Sequence, residues 1–420
     1  MVTSPTSPGH LHWPYRNLDV PGLRRSGVQS LPFRQFVLKV HSRCNLACTY
    51  CYVYHGADQS WRDRPPRVPH QVVARTAERI AEHAATHGLT AVHLNFHGGE
   101  PLLAGPAFLA ECATAVRHAV HRRAPGCEVH SSVQTNGTLL TDRAIAALAS
   151  AGIRIGVSLD GGSADLNRRR VTHAGRPAWP AAARGLRRLA DHPETYAGIL
   201  CTIDLDSDPV EVYESLAALN PPSLDLLLPH ANWSSPPPGK PGKVTPSPQG
   251  STPYADWLIS AFDHWFATTP AGPPVRLFRE VIGLLLGLPS HAEAVGNSPL
   301  VAVVIETDGS IEQVDSLKSA YEGAPATGLD IFRNSFDEAL DHPGVAARQL
   351  GTAALPETCR ICTVGPVCGG GNYAHRYHAD SGFHNPSVYC ADLQKVIWHV
   401  AGQVQKTARS RGSNLINQWQ

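Results

Sequence analysis

The stretch FVLKVHSRCNLACTYC, residues 36–51, joins an apolar, strand-like run to three cysteines that lie within eight residues. In a large intracellular chain, clustered cysteines indicate metal or redox chemistry before disulfides. Three close thiolates are one ligand short of a closed tetrahedral metal site, and a four-iron cluster held by three cysteines keeps one iron open. The spacing alone leaves a zinc site, completed by His41 or His55, as the alternative. The three cysteines are Cys44, Cys48 and Cys51.

The run at 36–40 opens a series in which strand-like and helical patterns alternate. Thr141 stands where one of the helices would need an N-cap. Strands that alternate with helices form a parallel sheet or partial barrel with right-handed crossovers, so we expect an α/β fold. The predicted strands are 36–40, 91–96, 128–133, 154–159, 196–203 and 223–228. The predicted helices between them are 70–83, 107–120, 141–151, 180–189 and 209–219.

Unusual polar residues follow most of these strands directly. The C-terminal ends of parallel strands form the mouth where barrel-like enzymes build their active sites, so we expect five segments to converge there. Turns alone would account for the glycines of these segments, but not for their acids, amides and thiols. The segments are the cysteine stretch, 97–101 (HGGEP), 134–137 (QTNG), 158–161 (SLDG) and 229–233 (PHANW).

A second group of cysteines lies near the C-terminus, with the spacing Cys359-x2-Cys362-x5-Cys368 and Cys390 further along the chain. Four thiolates complete a closed site, which indicates a fully cysteine-bound iron–sulfur cluster or a structural zinc ion. The remaining cysteines are isolated from one another, and we interpret them as small core residues. They are Cys112, Cys127 and Cys201.

Composition narrows the class of protein. The 420 residues include 36 Lys and Arg against 35 Asp and Glu, a formal charge of +1, which argues against a nucleic-acid partner. No apolar run approaches the ~20 residues of a membrane helix, and the N-terminus lacks the basic-then-apolar pattern of a secretory signal. We therefore expect a soluble, cytoplasmic enzyme with no membrane partner. Apolar residues make up 42% of the chain, enough for a large core.

The pattern Cys44-x3-Cys48-x-Tyr50-Cys51 resembles the signature of radical S-adenosylmethionine (SAM) enzymes. The GGEP segment at 98–101 is similar to their methionine-amino-group motif, and QTNG and SLDG follow in matching order. The C-terminal cysteines resemble the SPASM extension of peptide-modifying members. The resemblance covers about 33–393 and implies a partial (β/α)6 TIM-type barrel with a C-terminal SPASM-like cluster-binding domain.

This organisation predicts six segments. They are an N-terminal extension (1–32), the radical SAM partial barrel (33–233), a Pro-rich loop (234–253), a helical bridge (254–295), the SPASM-like auxiliary cluster domain (296–400) and a C-terminal tail (401–420). Within the last three, we expect helices at 254–266 and 278–286 and a hairpin of strands 301–306 and 311–314.

The resemblance implies that the first three cysteines hold a [4Fe-4S] cluster whose open iron binds S-adenosyl-L-methionine. It implies that Glu100 accepts the methionine amino group and that Arg170 pairs with the carboxylate. Leu166 and Asn167 stand where the family usually has His and Asp, so no role is carried over to them. The full set of implied SAM-contacting residues is Tyr50, Gly98, Gly99, Glu100, Gln134, Asn136, Ser158, Asp160 and Arg170.

The SPASM pattern is incomplete. Val314 and Asn372 stand at two positions where it has cysteines, and no cysteine lies between Cys201 and Cys359. The resemblance therefore implies one auxiliary [4Fe-4S] cluster, held by the four C-terminal cysteines, instead of two. A zinc ion there is the alternative. Two four-iron clusters in total are expected.

Several stretches narrow the resemblance to the cyclophane-forming peptide maturases. These enzymes join an aromatic ring carbon to the β-carbon of a residue two positions on in a ribosomally made precursor peptide. The reaction needs a base near the mouth, for which the sequence offers His230, Asp204 and Asp206, and a one-electron donor such as flavodoxin or ferredoxin. The stretches are 34–41, 54–62, 226–230, 307–309, 315–318 and 368–371.

Two other functions remain open at this point. One is an anaerobic sulfatase-maturase-like enzyme that forms formylglycine from Cys or Ser. The other, of a different class, is a non-catalytic zinc-binding scaffold, which would leave Glu100, the amide segment and Asp160 unexplained.

Overall fold

The computed structural model describes residues 12–240, 246–268 and 272–410. Parts of three predicted segments lie outside these ranges. They are 1–11 of the N-terminal extension, 241–245 of the Pro-rich loop and 411–420 of the tail. The described chain contains nine strands in one sheet and fourteen α-helices, in an α/β arrangement.

Six parallel strands form the first part of the sheet, in sequence order, each hydrogen bonded to the next. All six strands predicted from the sequence are confirmed, and so is the partial (β/α)6 barrel. The strands are β1 (Gln35–His41), β2 (Ala91–Gly98), β3 (Glu128–Thr135), β4 (Ile153–Ser158), β5 (Tyr196–Thr202) and β6 (Leu224–Leu227).

The crossover helices lie where the amphipathic patterns predicted them. Helix α5 begins after Thr141, whose hydroxyl accepts a hydrogen bond from the Ala144 amide, so the predicted N-cap is confirmed. The helices of the first half are α1 (Val20–Arg25), α2 (Tyr52–His55), α3 (His70–Thr86), α4 (Pro106–Arg123), α5 (Asp142–Ser150), α6 (Trp179–Ala190) and α7 (Pro209–Ala217).

Strand β1 is buried on both faces, which is typical of a central parallel strand. Phe36, Leu38 and Val40 point into the main apolar core, and Lys39 on the opposite face is also buried. A buried lysine requires a partner of opposite charge. Lys39 therefore marks a polar interior on the inner side of the sheet.

The sheet continues beyond β1 into the second half of the chain. Strand β7 (Ala302–Ile305) pairs in parallel with β1, and β8 (Ser310–Glu312) and β9 (Ala326–Asp330) follow in antiparallel order. The predicted hairpin is therefore confirmed, and it is joined to the barrel. The turn that follows β8, Asp315–Ser319, packs against α2 and so lies beside the cysteine stretch after β1.

Seven more helices cover the second half. The last one, α14, runs from Cys390 to Ser410 and crosses the boundary predicted at residue 400. Among the described residues, none of the helices combines the length and apolar character needed to cross a bilayer. These helices are α8 (Pro253–Thr268), α9 (Arg276–Leu285), α10 (Phe336–Leu340), α11 (Pro343–Ala347), α12 (Glu357–Arg360), α13 (Gly365–Cys368) and α14 (Cys390–Ser410).

Candidate active site

A cavity of about 490 Å³, the central cavity, lies at the C-terminal ends of the parallel strands. Its walls come from both halves of the chain, because Asp315 and His375 face it together with the three N-terminal cysteines. Glu100, Asp160, Asp204 and Asp206 do not line it. The sequence-predicted residues that do are Cys44, Cys48, Cys51, Tyr50, Gly98, Gly99, Gln134, Asn136, Ser158, Arg170 and His230.

The three cysteines lie in the loop between β1 and α2, and all are free thiols. Burial raises the pKa of Cys44 to about 12 and also raises the pKa values of Cys48 and Cys51. The Cys44 sulfur accepts hydrogen bonds from the Leu46 amide at 3.4 Å and from the Asn136 side chain at 3.8 Å. Thiols with raised pKa values are neutral near pH 7, so a metal that binds them must displace their protons.

The glycines of the GGEP segment allow the end of β2 to approach the cysteine loop closely. A Cβ atom on Gly99 would lie 1.9 Å from the Tyr54 hydroxyl oxygen and 2.5 Å from the Arg43 carbonyl carbon. A Cβ atom on Gly98 would lie 2.2 Å from the His41 carbonyl oxygen. Packing against the chain itself thus already requires glycine at both positions.

Glu100 is fully buried behind the cavity wall, which differs from the expectation of a carboxylate facing a ligand. Its two oxygens accept hydrogen bonds from the Leu102 amide, the Thr135 hydroxyl and the Asn136 amide, at 2.7–3.0 Å. These bonds tie the ends of β2 and β3 together. The implied contact between Glu100 and a ligand stays a prediction.

Tyr50, Asp160 and Arg170 form a buried polar cluster beneath the cysteine loop. The Tyr50 hydroxyl donates to Asp160 at 2.5 Å and accepts from Arg170 at 2.6 Å. Burial acts to lower the pKa of Arg170, but Tyr50 and Asp160 outweigh it and the pKa rises. Arg170 is therefore a fixed cation on the cavity wall, while Asp160 lies behind it.

The amide segment after β3 contributes a second polar edge. Gln134 donates from its side chain to the Ser158 hydroxyl at 2.8 Å, and both residues line the cavity. Asn167 stands where the family pattern has Asp, and it has a structural role in this chain. Its side-chain oxygen accepts from the Asp160 amide at 2.9 Å and closes the turn after β4.

The four C-terminal cysteines converge on one small cavity between α12, α13 and α14. All four are free thiols, and the Gln394 side chain donates to the sulfurs of Cys362 at 3.5 Å and Cys390 at 3.8 Å. The buried Arg376 guanidinium donates to the carbonyls of the glycine turn after Cys368. Four converging thiols with amide donors fit a closed metal or iron–sulfur site.

The sequence profile described as the Radical SAM superfamily matches residues 38–216. This match starts in β1 and includes the cysteine loop and the crossovers as far as α7. Residues 38–216 belong to the radical SAM superfamily. The matched residues include every sequence-predicted residue that lines the central cavity except His230.

A serine-type anaerobic sulfatase-maturating enzyme from Klebsiella aerogenes is 30% identical over 214 residues, which cover 48% of this chain. The chain spans about half the length of that relative, 50%. Two solved structures share the fold. Native anSMEcpe with bound AdoMet and Cp18Cys peptide has a TM-score of 0.72 at 20% identity, covering 90% of this chain and 99% of its own. Streptococcus suis SuiB bound to precursor peptide SuiA has a TM-score of 0.53 at 14% identity. That alignment covers 88% of this chain and 78% of the SuiB chain.

Two of the three bases predicted for the radical SAM reaction lie outside the central cavity. The Asp204 carboxylate is held by Arg168 at 2.8 Å and by Arg169 at 2.7 Å, and these hydrogen bonds lower its pKa against the opposing effect of burial. Asp206 pairs with Arg169 at 2.9 Å and is largely exposed. Neither carboxylate lines the central cavity, so neither is placed to accept a proton there.

The third predicted base, His230, does line the central cavity. Its Nδ1 lies 3.2 Å from Nε2 of His375, and its ring meets the Tyr52 ring edge-on at 4.5 Å. Burial lowers the pKa of His230 and of His375, so both rings are neutral near pH 7. A neutral imidazole can accept a proton, and the geometry keeps His230 as a candidate.

Asp315 is the acidic residue that sequence reasoning missed. It follows β8, lines the central cavity, and pairs with Lys39 and with His97 on the neighbouring strands. Burial would raise its pKa, but Lys39 and His97 lower it to about 2. Within the described residues its Oδ1 atom has no hydrogen-bond partner. No local pattern marks Asp315, and the only available signal was its place directly after a hairpin that extends the barrel sheet.

Proposed function

We propose that this radical SAM enzyme modifies a ribosomally made precursor peptide by forming a three-residue cyclophane. The C–C bond would join an aromatic ring carbon to the β-carbon of a residue two positions on. One observation carries the proposal: the central cavity has the three-cysteine loop on one wall and the ionised Asp315 on another, and among the described residues Oδ1 of Asp315 has no hydrogen-bond partner. Radical generation and proton removal can thus occur in the same enclosed space.

The residues present fit the cofactors that the family implies. Cys44, Cys48 and Cys51 would hold the SAM-binding cluster, with Arg170 and the Gln134–Ser158 pair available to the SAM molecule. The four C-terminal cysteines would hold one auxiliary [4Fe-4S] cluster, closed to substrate. When bound, these groups supply a carbon radical that takes a hydrogen atom and an acceptor for one electron.

The peptide loses two hydrogens in the proposed reaction. One leaves the β-carbon as a hydrogen atom, the new bond forms to the ring, and the ring then loses one proton and one electron. Asp315 is the best-placed group for that proton, because it is ionised, faces the cavity and has an oxygen free to accept it. The Lys39 ammonium holds Asp315 in place and in the basic form.

A second candidate function is oxidation of a peptide Ser or Cys to formylglycine. The match to a sulfatase-maturating enzyme over 214 residues favours it. That oxidation needs the same three elements: a radical, a base and an electron acceptor.

Two of the stretches that narrow the resemblance, 54–62 and 315–318, meet in one buried ion network. The Lys318 ammonium lies 3.2–3.3 Å from carboxylate oxygens of Asp58, Glu306 and Glu312. This network gives Asp58 and Lys318 a structural role. These stretches therefore support a local architecture shared with the cyclophane-forming maturases. Only the chemical structure of the product decides between the cyclophane and the formylglycine reaction.

The first experiment measures iron, sulfide and zinc after anaerobic reconstitution. We expect about eight irons in the wild type and about four in a Cys44→Ala, Cys48→Ala, Cys51→Ala triple variant, as for two cysteine-bound four-iron clusters. Reductive cleavage of SAM to 5′-deoxyadenosine should disappear in the triple variant. Stoichiometric zinc without iron would contradict the radical mechanism and favour the zinc scaffold.

The second experiment identifies the product. Candidate precursor peptides encoded beside the gene are incubated with the reconstituted enzyme, SAM and either dithionite or reduced flavodoxin. Crosslinking and oxidation of Ser both remove two hydrogens, so mass alone does not separate them. A crosslinked peptide resists fragmentation between the joined residues and ignores hydrazide reagents, whereas formylglycine reacts with them. A hydrazide-reactive product would overturn the cyclophane proposal and leave the second function standing.

A further inference from the structure

A second cavity of about 510 Å³, the side cavity, lies between the segment before β7 and the cluster-binding region. It shares three wall residues with the central cavity: Ala292, Glu293 and Val314. The two spaces therefore adjoin across a thin wall. A ligand in the side cavity lies next to the proposed site of chemistry.

Arg348 is the distinctive group of the side cavity. Its side chain is only 5% exposed, and its Nη2 atom is ion-paired with Glu293. Within the described residues, its Nη1 atom has no hydrogen-bond partner. The guanidinium also lies over the Tyr373 ring at 5.3 Å, and the Tyr373 hydroxyl is likewise without a partner there. Buried donors left unpaired are costly, so this pair of groups indicates a missing polar ligand.

The charge of the side cavity is complementary to an anion. Its walls carry three arginines, Arg34, Arg348 and Arg376, against the single acidic residue Glu293. Arg376 is occupied by three glycine carbonyls, so Arg348 is the buried cation left to meet a ligand. A guanidinium with a free edge fits a carboxylate through two parallel hydrogen bonds.

Val314 connects this space to the departure from the SPASM pattern. It stands where that pattern has a cysteine, and its side chain lines both cavities. Asn372, at the other substituted position, lines the central cavity. The wall between the cavities is therefore apolar at Val314, and the amide of Asn372 lies on the side of the central cavity.

We propose that the side cavity binds a carboxylate of the substrate peptide through Arg348, with the Tyr373 hydroxyl as a second donor. The carboxylate is either an Asp or Glu side chain or the C-terminus of the peptide. In the free enzyme Glu293 occupies one edge of Arg348, so the substrate carboxylate competes with it. This inference rests on the proposed function, in that the substrate is a peptide.

The test uses the full-length, reconstituted enzyme and two random heptapeptide pools, one with free C-terminal carboxylates and one amidated. Retained peptides are separated by ultrafiltration and counted by mass spectrometry. We expect the wild type to show a preference of about tenfold in at least one of three comparisons. These are peptides with Asp against peptides with Asn, peptides with Glu against peptides with Gln, and peptides with a free C-terminal carboxylate against amidated peptides. The first two preferences assign a side-chain carboxylate, and the third assigns the C-terminus. Equal retention in all three comparisons would overturn the proposal.

Two substitutions should act in opposite directions. Arg348→Met should remove the preference for acidic peptides, whereas Glu293→Gln should increase it, because the competing carboxylate is gone. Arg333→Met, at a side chain that is 81% exposed and far from the cavity, is the matched control and should keep the wild-type preference. A decreased preference for acidic peptides in Glu293→Gln would show that Glu293 does not compete with a substrate carboxylate. This variant gives a result even if Arg348→Met fails to fold.

A separate readout keeps this inference distinct from the proposed function. Release of 5′-deoxyadenosine from SAM without peptide tests the radical chemistry alone. If release occurs and no preference for carboxylates is found, the side-cavity proposal fails and the radical function stands. If release is absent while the preference persists, the proposed function fails and the binding site stands.

Discussion

The Tyr50 hydroxyl is hydrogen bonded to the Asp160 carboxylate at 2.5 Å, beneath the loop that carries the three cysteines. The aromatic residue of the cysteine motif therefore anchors its loop to the end of β4, and Arg170 completes the cluster from the other side. This contact links residues 110 positions apart in the chain. It positions Cys48 and Cys51, which flank Tyr50, relative to the barrel strands.

The first prediction separates the hydrogen bond from the charge pair. Tyr50→Phe should lower the free energy of unfolding by about 1–2 kcal/mol, because one buried donor is lost. Arg170→Met should cost more, about 3–5 kcal/mol, because Asp160 is left as a buried carboxylate without its cation. Anaerobic urea titrations followed by circular dichroism measure both. Equal effects would show that the cluster does not depend on its charge pair.

The second prediction concerns proton removal. Asp315→Asn should lower product formation by about 10²–10⁴-fold, the range expected for loss of a general base. Release of 5′-deoxyadenosine should fall much less, since the amide leaves the cysteine loop unchanged. Asp206→Asn, on an exposed carboxylate outside the cavity, is the matched control and should retain wild-type turnover. A normal rate of product formation in Asp315→Asn would exclude it as the base.

The third prediction is the pH dependence of turnover. A base must be deprotonated, and Lys39 and His97 hold the pKa of Asp315 at about 2 against burial. Activity that depends on Asp315 should thus show no acidic limb between about pH 6 and about pH 8. Because burial lowers the pKa of His230, an inflection below the ordinary histidine value of about 6.5, absent in His230→Gln, would instead assign the base to His230.

The fourth prediction addresses the C-terminal cysteines. Gln394 donates hydrogen bonds to the sulfurs of Cys362 and Cys390, and such bonds favour the reduced, more negative form of a cluster. Gln394→Leu should therefore lower the reduction potential of the auxiliary cluster, measured by a redox titration with electron paramagnetic resonance. Gln403→Leu, on the same helix but away from the cysteines, should leave the potential unchanged. An unshifted potential in Gln394→Leu would mean that the amide does not act on the cluster.

The strands and helices of the barrel could be predicted because each depends on local periodicity. Alternating apolar residues such as Phe36, Leu38 and Val40 report a buried strand wherever it lies in the fold. The boundary predicted at residue 400 shows the limit of this reasoning. Helix α14 runs through Gly402 to Ser410, because a single glycine inside a helix costs only about 1 kcal/mol.

The candidate site was predictable where its residues are close in sequence. The spacing of Cys44, Cys48 and Cys51 constrains their thiols to one short loop, and the structure places all three on the cavity. The base was not predictable, because it depends on which distant charges meet. Asp204 follows a late strand as expected, but Arg169 holds it outside the cavity. Asp315, from the other half of the chain, takes the place beside Lys39.

The sequence by itself determined the parallel barrel and the two groups of cysteines, since these follow from periodicity and spacing along the chain. Only the tertiary structure decided which polar groups are exposed to a ligand and which serve the fold. Glu100 and Asp160 lie behind the wall, whereas Asp315 and Arg348 face cavities with unpartnered atoms. The physical reason is that a buried polar group takes its role from partners far away in sequence, and folding alone brings them together.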